Sequence, residues 1–193
     1  SDTTIKASAS MVYKMYSAND RLPTTNGHFS LDLRKGSVEV IADMLQLDPG
    51  SFVFWAGPGI APELLSLAHF YPSVNFVGVD LNESAIAIAK EKLRALQLHN
   101  VELHCGDALL ETSGHSHVFS SRASPYTHVY STAISGEKLC AHLTALARNG
   151  RVCLLDTPAL CALYRRELFD KRSVHLFGSG CQLRLCARDV PGH

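Results

Sequence analysis

Short apolar runs alternate with amphipathic segments along most of this chain, and this alternation limits its fold more than any other feature. The clearest run, residues 52–56, ends in the turn Gly57-Pro58-Gly59, and a segment with helical spacing of its leucines follows. Similar runs occur at residues 74–79, 101–105, 128–130 and 152–155. Continuous apolar runs of this length are typical of parallel strands buried on both faces. Five strand–helix units therefore predict a doubly wound α/β sheet.

The two ends of the chain depart from this pattern. Residues 173–177 and 181–187 flank a glycine-rich turn and predict an antiparallel hairpin, which makes the sheet seven-stranded and mostly parallel. Residues 1–35 are polar and predict an N-terminal lead-in or lid, with a helical turn at residues 11–16. Residues 36–193 are then expected to form a single α/β domain.

Composition excludes several classes of protein. Eighteen Lys and Arg residues balance eighteen Asp and Glu residues, so no excess charge indicates a nucleic acid or an anionic membrane, and a polyanion would need a local patch. No apolar run approaches the roughly 20 residues of a membrane span. Six cysteines form no C-x-x-C pair, which favours reduced thiols in an intracellular compartment, the cytoplasm or the nucleus. His115 and His117 have no third ligand nearby in the sequence, so we expect no metal site.

Three features are expected to meet at the carboxyl ends of the strands, where doubly wound sheets bind ligands. The turn Gly57-Pro58-Gly59 lets a ligand approach the backbone closely. Asp80 ends the second strand, and a carboxylate there can accept hydrogen bonds from a ribose diol. Asp107 follows the third strand and can accept from an exocyclic amine such as that of adenine. Together they indicate a nucleoside ligand.

The dinucleotide fingerprint would need glycine where Pro62 stands, so a dinucleotide-dependent oxidoreductase is only an alternative.

The stretches around these residues resemble the first three motifs of class I S-adenosylmethionine-dependent methyltransferases. They read FVFWAGPG at 52–59, VGVD at 77–80 and CGDA at 105–108. The resemblance implies that residues 36–193 are an S-adenosylmethionine-binding Rossmann-like domain, with the glycine turn against the amino-acid part of the cofactor. It also implies that Asp80 holds the ribose hydroxyls and that Asp107 lies near the adenine amino group. The cofactor-binding residues that it implies are Trp55, Ala56, Gly57, Pro58, Gly59, Asp80, Leu81, Asp107 and Ala108.

Two positions depart from the family pattern. Val53 stands where the family usually has an acid that helps to orient the methionine ammonium, and Trp55 stands where it has a further glycine. The Trp55 indole belongs either to the wall of the cofactor pocket or to the core of the sheet. These departures favour one alternative, a catalytically inactive methyltransferase-like binding or scaffold subunit.

The methyl acceptor is less constrained. The fourth strand ends in Ser131-Thr132 and not in the Asn/Asp-Pro-Pro-aromatic turn of amino methyltransferases that act on adenine or glutamine, which disfavours those reactions. Residues 26–30, together with Ser131-Thr132, are loosely similar to Dot1-like histone lysine methyltransferases. The glycine-proline turn is similar to that of nicotianamine synthase-like enzymes, which use the same cofactor for aminocarboxypropyl transfer. We expect methyl transfer to a protein, for example at lysine, or to another macromolecule. Ser131 and Thr132 would orient the acceptor, and the lid candidates are Tyr13, Tyr16, His28 and Phe29.

Overall fold

The computed structural model describes residues 4–20, 33–109, 124–132, 137–147, 150–158, 168–177 and 180–190. Its strands are β1 (Phe52–Ala56), β2 (Asn75–Asp80), β3 (Val101–Cys105), β4 (His128–Ser131), β5 (Arg151–Leu155), β6 (Asp170–His175) and β7 (Gln182–Asp189). Its α-helices are α1 (Ile5–Tyr13), α2 (Ser37–Leu45), α3 (Pro62–Phe70), α4 (Glu83–Leu96) and α5 (Glu137–Leu146), and a short 3-10 helix spans Ala18–Asp20.

All seven strands form one sheet in the order β3-β2-β1-β4-β5-β7-β6. Strands β1 to β5 pair in parallel, whereas β7 is antiparallel to both β5 and β6. The predicted doubly wound, mostly parallel sheet with a C-terminal antiparallel hairpin is therefore confirmed. Strand order reverses between β1 and β4. We call the edge at which β1 to β5 end the carboxyl edge of the sheet.

The parallel strands are buried because helices cover both faces of the sheet. Alternate residues of β1 point to opposite faces, so Val53 and Trp55 join the core beneath α1 to α4, whereas Phe54 and Ala56 join the core on the α5 face. All four side chains are at most 2% exposed. This explains why the β1 run is continuously apolar and not alternating.

The N-terminal part of the chain differs from the sequence prediction. Helix α1 begins six residues before the predicted helical turn at 11–16 and ends at Tyr13. Thr4 caps it, since its side chain accepts a hydrogen bond from the Ala7 N–H. Ala9 and Val12 are buried in the same core as α2 and α3. Helix α1 is therefore packed onto the domain, while the predicted boundary between residues 35 and 36 remains a prediction.

Several predicted features can be compared with the described residues only in part. The described cysteines, which exclude Cys161, are all free thiols, and no group of three potential metal ligands occurs in the described ranges. His115 and His117 lie outside those ranges. Among the described helices, none has the length and apolar character that crossing a membrane requires.

Gly78 in β2 leaves space for the turn that follows β1. A Cβ atom at this position would lie 2.9 Å from Leu103 Cδ2, 3.1 Å from Pro58 Cγ and 3.2 Å from Leu64 Cδ1. These distances are shorter than ordinary van der Waals contacts. The absent side chain at Gly78 therefore lets Pro58 pack directly over the sheet.

We expect Gly78→Ala to lower the free energy of unfolding by about 1–3 kcal/mol, because the added methyl overpacks the contact between β2 and Pro58. Urea denaturation measures this change. The matched control is Gly36→Ala, since Gly36 has a φ of −61° and nothing lies within 4 Å of a Cβ there. A control variant destabilised as much as Gly78→Ala would contradict the steric explanation.

Candidate functional site

The Asp80 carboxylate connects the segments that follow β1 and β2. Its Oδ2 accepts a hydrogen bond of 2.7 Å from the Gly59 N–H, and its Oδ1 accepts one of 2.8 Å from the Asn82 N–H. The backbone carbonyl of Asp80 accepts a third bond, 2.9 Å, from the Gly106 N–H after β3. One residue at the carboxyl edge thus joins three neighbouring loops.

The turn Gly57-Pro58-Gly59, called the glycine turn below, depends on backbone conformations that glycine adopts without strain. Gly57 has a φ of 74° and Gly59 a φ of 61°. The Gly57 N–H donates to the Val79 carbonyl at 2.8 Å, which anchors the start of the turn to β2. Ala61, immediately before α3, is also left-handed at a φ of 66°. Because alanine adopts this region only with strain, the surrounding contacts must hold the turn in place.

Asn82 explains why α4 begins directly beside Asp80. Its side chain caps the helix by accepting a hydrogen bond of 3.1 Å from the Ala85 N–H. The short link between β2 and α4 keeps Leu81 at the surface, where it is 58% exposed. Leu81 is one of the few large apolar side chains exposed in the described part of the chain, and it lies directly after the Asp80 carboxylate.

Asp107 and Ala108 follow β3 at the same edge. Both are partly buried, and Asp107 Oδ1 accepts a hydrogen bond of 2.9 Å from the Leu109 N–H in its own turn. Ala108 packs against the core on the α5 face. The structure therefore places the third predicted motif beside the loop that holds Asp80, through the Gly106 contact.

Ser131 and Thr132 lie at the end of β4, next to β1, and both are buried. The Ser131 hydroxyl donates a hydrogen bond of 2.9 Å to the Ala56 carbonyl, the last residue of β1. This contact fixes the start of the glycine turn against the neighbouring strand. It gives Ser131 a clear structural role at the carboxyl edge.

The structure places Trp55 in the core of the sheet. Its indole is 2% exposed and packs against Tyr130, with ring centroids 4.1 Å apart. Burial raises the pKa of Tyr130 well above its usual value, with smaller contributions from Cys153 and Glu63. The Tyr130 phenol is therefore neutral and packs as a core aromatic. Val53, the other departure from the family pattern, lies in the same core.

Of the four lid candidates, two lie in the described ranges. The Tyr16 hydroxyl donates a hydrogen bond of 2.7 Å to the Ile60 carbonyl, directly after the glycine turn. The Tyr13 hydroxyl donates to the Leu33 carbonyl at 3.1 Å. His28 and Phe29 are outside the described residues. Tyr16 thus touches the backbone of the site through its hydroxyl.

The sequence prediction missed Glu63 and Lys92, which fasten the N-terminal segment near the glycine turn. Glu63 lies in the first turn of α3, is only 6% exposed, and accepts a hydrogen bond of 2.9 Å from the Leu33 N–H. Buried Lys92 on α4 lies 3.3 Å from Asp20 and over the ring of Tyr16. A charged residue within an apolar helix face, as at Glu63, is the signal that could have identified such a contact.

A family model described as a putative methyltransferase matches residues 54–121, about a third of the chain. The matched stretch includes the glycine turn, Asp80 and Asp107. No curated protein sequence matches the chain.

Solved methyltransferase structures share the fold over most of the chain. An RNA methyltransferase from Salinibacter ruber, in complex with S-adenosyl-L-homocysteine, has 16% identity and a TM-score of 0.59, covering 89% of this chain and 95% of its own. A precorrin-6y C5,15-methyltransferase from Geobacter metallireducens has 13% identity and a TM-score of 0.62, covering 88% and 94%. A geranyl diphosphate C-methyltransferase from Streptomyces coelicolor has 11% identity and a TM-score of 0.59, covering 80% and 78%. At these identities the likeness shows the fold and leaves the acceptor open.

We expect Asp80→Asn to lower the free energy of unfolding by about 1–3 kcal/mol. Asparagine offers one acceptor oxygen, and its amide NH₂ would face a backbone N–H that then loses its partner. Urea denaturation at pH 7 measures the change. In the control Asp43→Asn, an exposed pair with Arg172 is lost, which should cost less than about 1 kcal/mol. Equal stability of the wild type and Asp80→Asn would show that the two amide contacts do not hold the loops.

Proposed function

We propose that this chain is a class I S-adenosylmethionine-dependent methyltransferase, which binds S-adenosylmethionine at the carboxyl edge and transfers its methyl group to a macromolecular acceptor. The observation that carries the proposal is the Asp80 carboxylate, which holds the glycine turn and the start of α4 in one fixed arrangement. The family-model match and the shared fold support the cofactor and the reaction class. The acceptor is our own inference.

The residues at the carboxyl edge fit a nucleoside cofactor. Each Asp80 oxygen accepts one backbone N–H and has a further lone pair, so the carboxylate can also accept from two ribose hydroxyls. Gly57 and Gly59 present backbone without side chains where the amino-acid part would lie. Exposed Leu81 offers an apolar surface for one face of the adenine, and Asp107 can accept from its amino group.

Burial of Trp55 supports an active cofactor site over a blocked one. The indole packs against Tyr130 beneath α1 to α4, with 2% of its surface exposed. The indole therefore fills core volume and contributes almost no surface to the carboxyl edge. The predicted contact between Trp55 and the cofactor would then come from its backbone and not from the indole.

S-adenosylmethionine supplies an electrophilic methyl group on a sulfonium. The chain's own residues have to hold the acceptor in line with it and keep water away, since positioning is the largest contribution a protein can make to such a transfer. We propose Ser131 and Thr132 for orienting the acceptor, and not as bases, because they lie at the end of β4 beside β1. The Ser131 hydroxyl donates to the Ala56 carbonyl, which fixes the end of β4 against the start of the glycine turn.

Two narrower versions of the function have less support. The Dot1-like resemblance depends partly on residues 26–30, which lie outside the described ranges, and none of the relatives reported above is a lysine methyltransferase. Aminocarboxypropyl transfer of the nicotianamine synthase type depends on the glycine-proline turn alone. An inactive scaffold subunit remains the alternative that cofactor binding decides.

Calorimetric titration with S-adenosylhomocysteine tests the cofactor site. We expect the wild type to bind at micromolar concentration, about −8 kcal/mol, and Asp80→Ala to lose most of this affinity. Leu81→Ala should weaken binding about tenfold without changing stability, because Leu81 is exposed in the free protein. Met11→Ala, which removes an exposed apolar side chain from α1, is the matched control and should bind as the wild type does.

The other outcomes separate the alternatives. No binding by a folded wild-type protein would support the scaffold function. Binding of NAD without binding of S-adenosylhomocysteine would support a dinucleotide-dependent enzyme. Equal losses in Leu81→Ala and Met11→Ala would remove the adenine surface from the proposal.

A further inference from the structure

A cavity opens at the carboxyl edge, on the α1 and α2 side of the sheet. Its volume is about 880 Å³, in the upper part of the range of roughly 300–1,000 Å³ that ligand pockets occupy. It is lined by the C-terminal end of α1, the residues before α2 and the end of β6. Because β6 runs in the same direction as β5, its last residue, His175, stands at the carboxyl edge.

Among the described residues, the charged side chains that line this cavity are all basic. Lys14, Arg34 and Lys35 line it together with His175, and the lining residues within the described ranges include no Asp or Glu. Arg34 is held in place by two contacts: its backbone N–H donates to the His175 carbonyl at 2.9 Å, and its Nε donates to the Leu176 carbonyl at 3.2 Å. We call this cavity the basic groove. The chain as a whole is neutral, so the groove concentrates positive charge locally.

Aromatic side chains stand beside these cations. Phe177, the residue that ends the β6 side of the groove, is 50% exposed. Tyr13 and Tyr16 line the opposite side, on and just after α1. A groove that combines cationic and aromatic groups suits a single-stranded nucleic acid, since phosphates pair with the cations and bases stack on the rings.

Tyr16 connects the basic groove to the cofactor site. It lines the groove, and its hydroxyl donates to the Ile60 carbonyl directly after the glycine turn. A ligand in the groove would therefore lie next to the turn that we assign to the methionine end of the cofactor. The donated methyl group would also be near that end.

We propose that the basic groove binds a single-stranded nucleic acid, with its phosphates on Lys14, Arg34 and Lys35 and a base against Phe177. That the bound nucleic acid is the methyl acceptor rests on the proposed function, whereas binding of nucleic acid to the groove does not. A cationic peptide such as a lysine-rich tail would be repelled by the same three side chains. The groove therefore favours nucleic acid over a basic protein segment as the macromolecule that this chain recognises.

Fluorescence anisotropy with a labelled single-stranded 12-nucleotide RNA of mixed sequence tests the groove, without any cofactor present. We expect the double variant Lys14→Ala/Lys35→Ala to weaken binding at least tenfold and to reduce the slope of log K against log salt by about 1.4, for two lost phosphate contacts. Phe177→Ala should weaken binding about fivefold or more through lost stacking. All three residues are exposed, so these variants should fold normally.

The matched control is Lys90→Ala/Lys138→Ala, which removes the same charge from exposed positions on α4 and α5. It should bind within twofold of the wild type. No RNA binding by the wild type, or an equal loss in the control, would overturn the proposal. It would also be overturned if Phe177→Ala had no effect, or if duplex RNA or oligoglutamate bound as tightly. RNA binding without S-adenosylhomocysteine binding would instead count against the proposed function and leave the groove assignment standing.

Discussion

The candidate site depends on one carboxylate that has two backbone N–H donors. Asp80 ends β2, and its two oxygens bind Gly59 on one side and Asn82 on the other. Loops at the end of a parallel sheet have few partners of their own, because strand pairing stops where they begin. A charged acceptor shared between two loops supplies hydrogen bonds stronger than those between neutral groups. Removing the carboxylate would release the glycine turn and the start of α4, and with them the link that carries Leu81.

A second set of contacts holds the glycine turn from the N-terminal side. Tyr16 binds the Ile60 carbonyl, Glu63 binds the Leu33 N–H, and Lys92 lies against both Asp20 and the Tyr16 ring. These contacts flank the left-handed Ala61. Ile60 before it is bound by Tyr16, and Glu63 after it is bound to Leu33. The segment before α2 is therefore part of the frame of the site. Any ligand that moves Tyr16 would act on the backbone of the glycine turn directly.

The strand–helix order, the hairpin and the positions of the glycine turn and Asp80 at strand ends could be predicted from the sequence because each leaves a local pattern. Apolar runs followed by Gly57 or Asp80 indicate strand ends, and Asn82 is a standard helix cap. The orientation of Trp55 could not be predicted, since alternation along a strand buried on both faces gives no polar side to compare. The contacts of Tyr16 and Glu63 join residues 44 and 30 positions apart, and the Arg34 side chain binds the Leu176 carbonyl 142 positions away. Such long-range contacts leave no local pattern.

The position of β7 between β5 and β6 sets an order in which the two sites can be built during synthesis. Strands β1 to β4 and their helices precede β5 in the chain, so the cofactor half of the sheet can pair as soon as they have left the ribosome. Strand β6 has no partner strand linking it to the sheet until β7 has been made. Strand β7 must pair with β5, in the register that sets Arg151 opposite Asp189, before β6 can join. Such distant pairing is the slow part of folding. In a nascent chain, the glycine turn and Asp80 would therefore be in place before the side of the basic groove that carries His175 and Phe177.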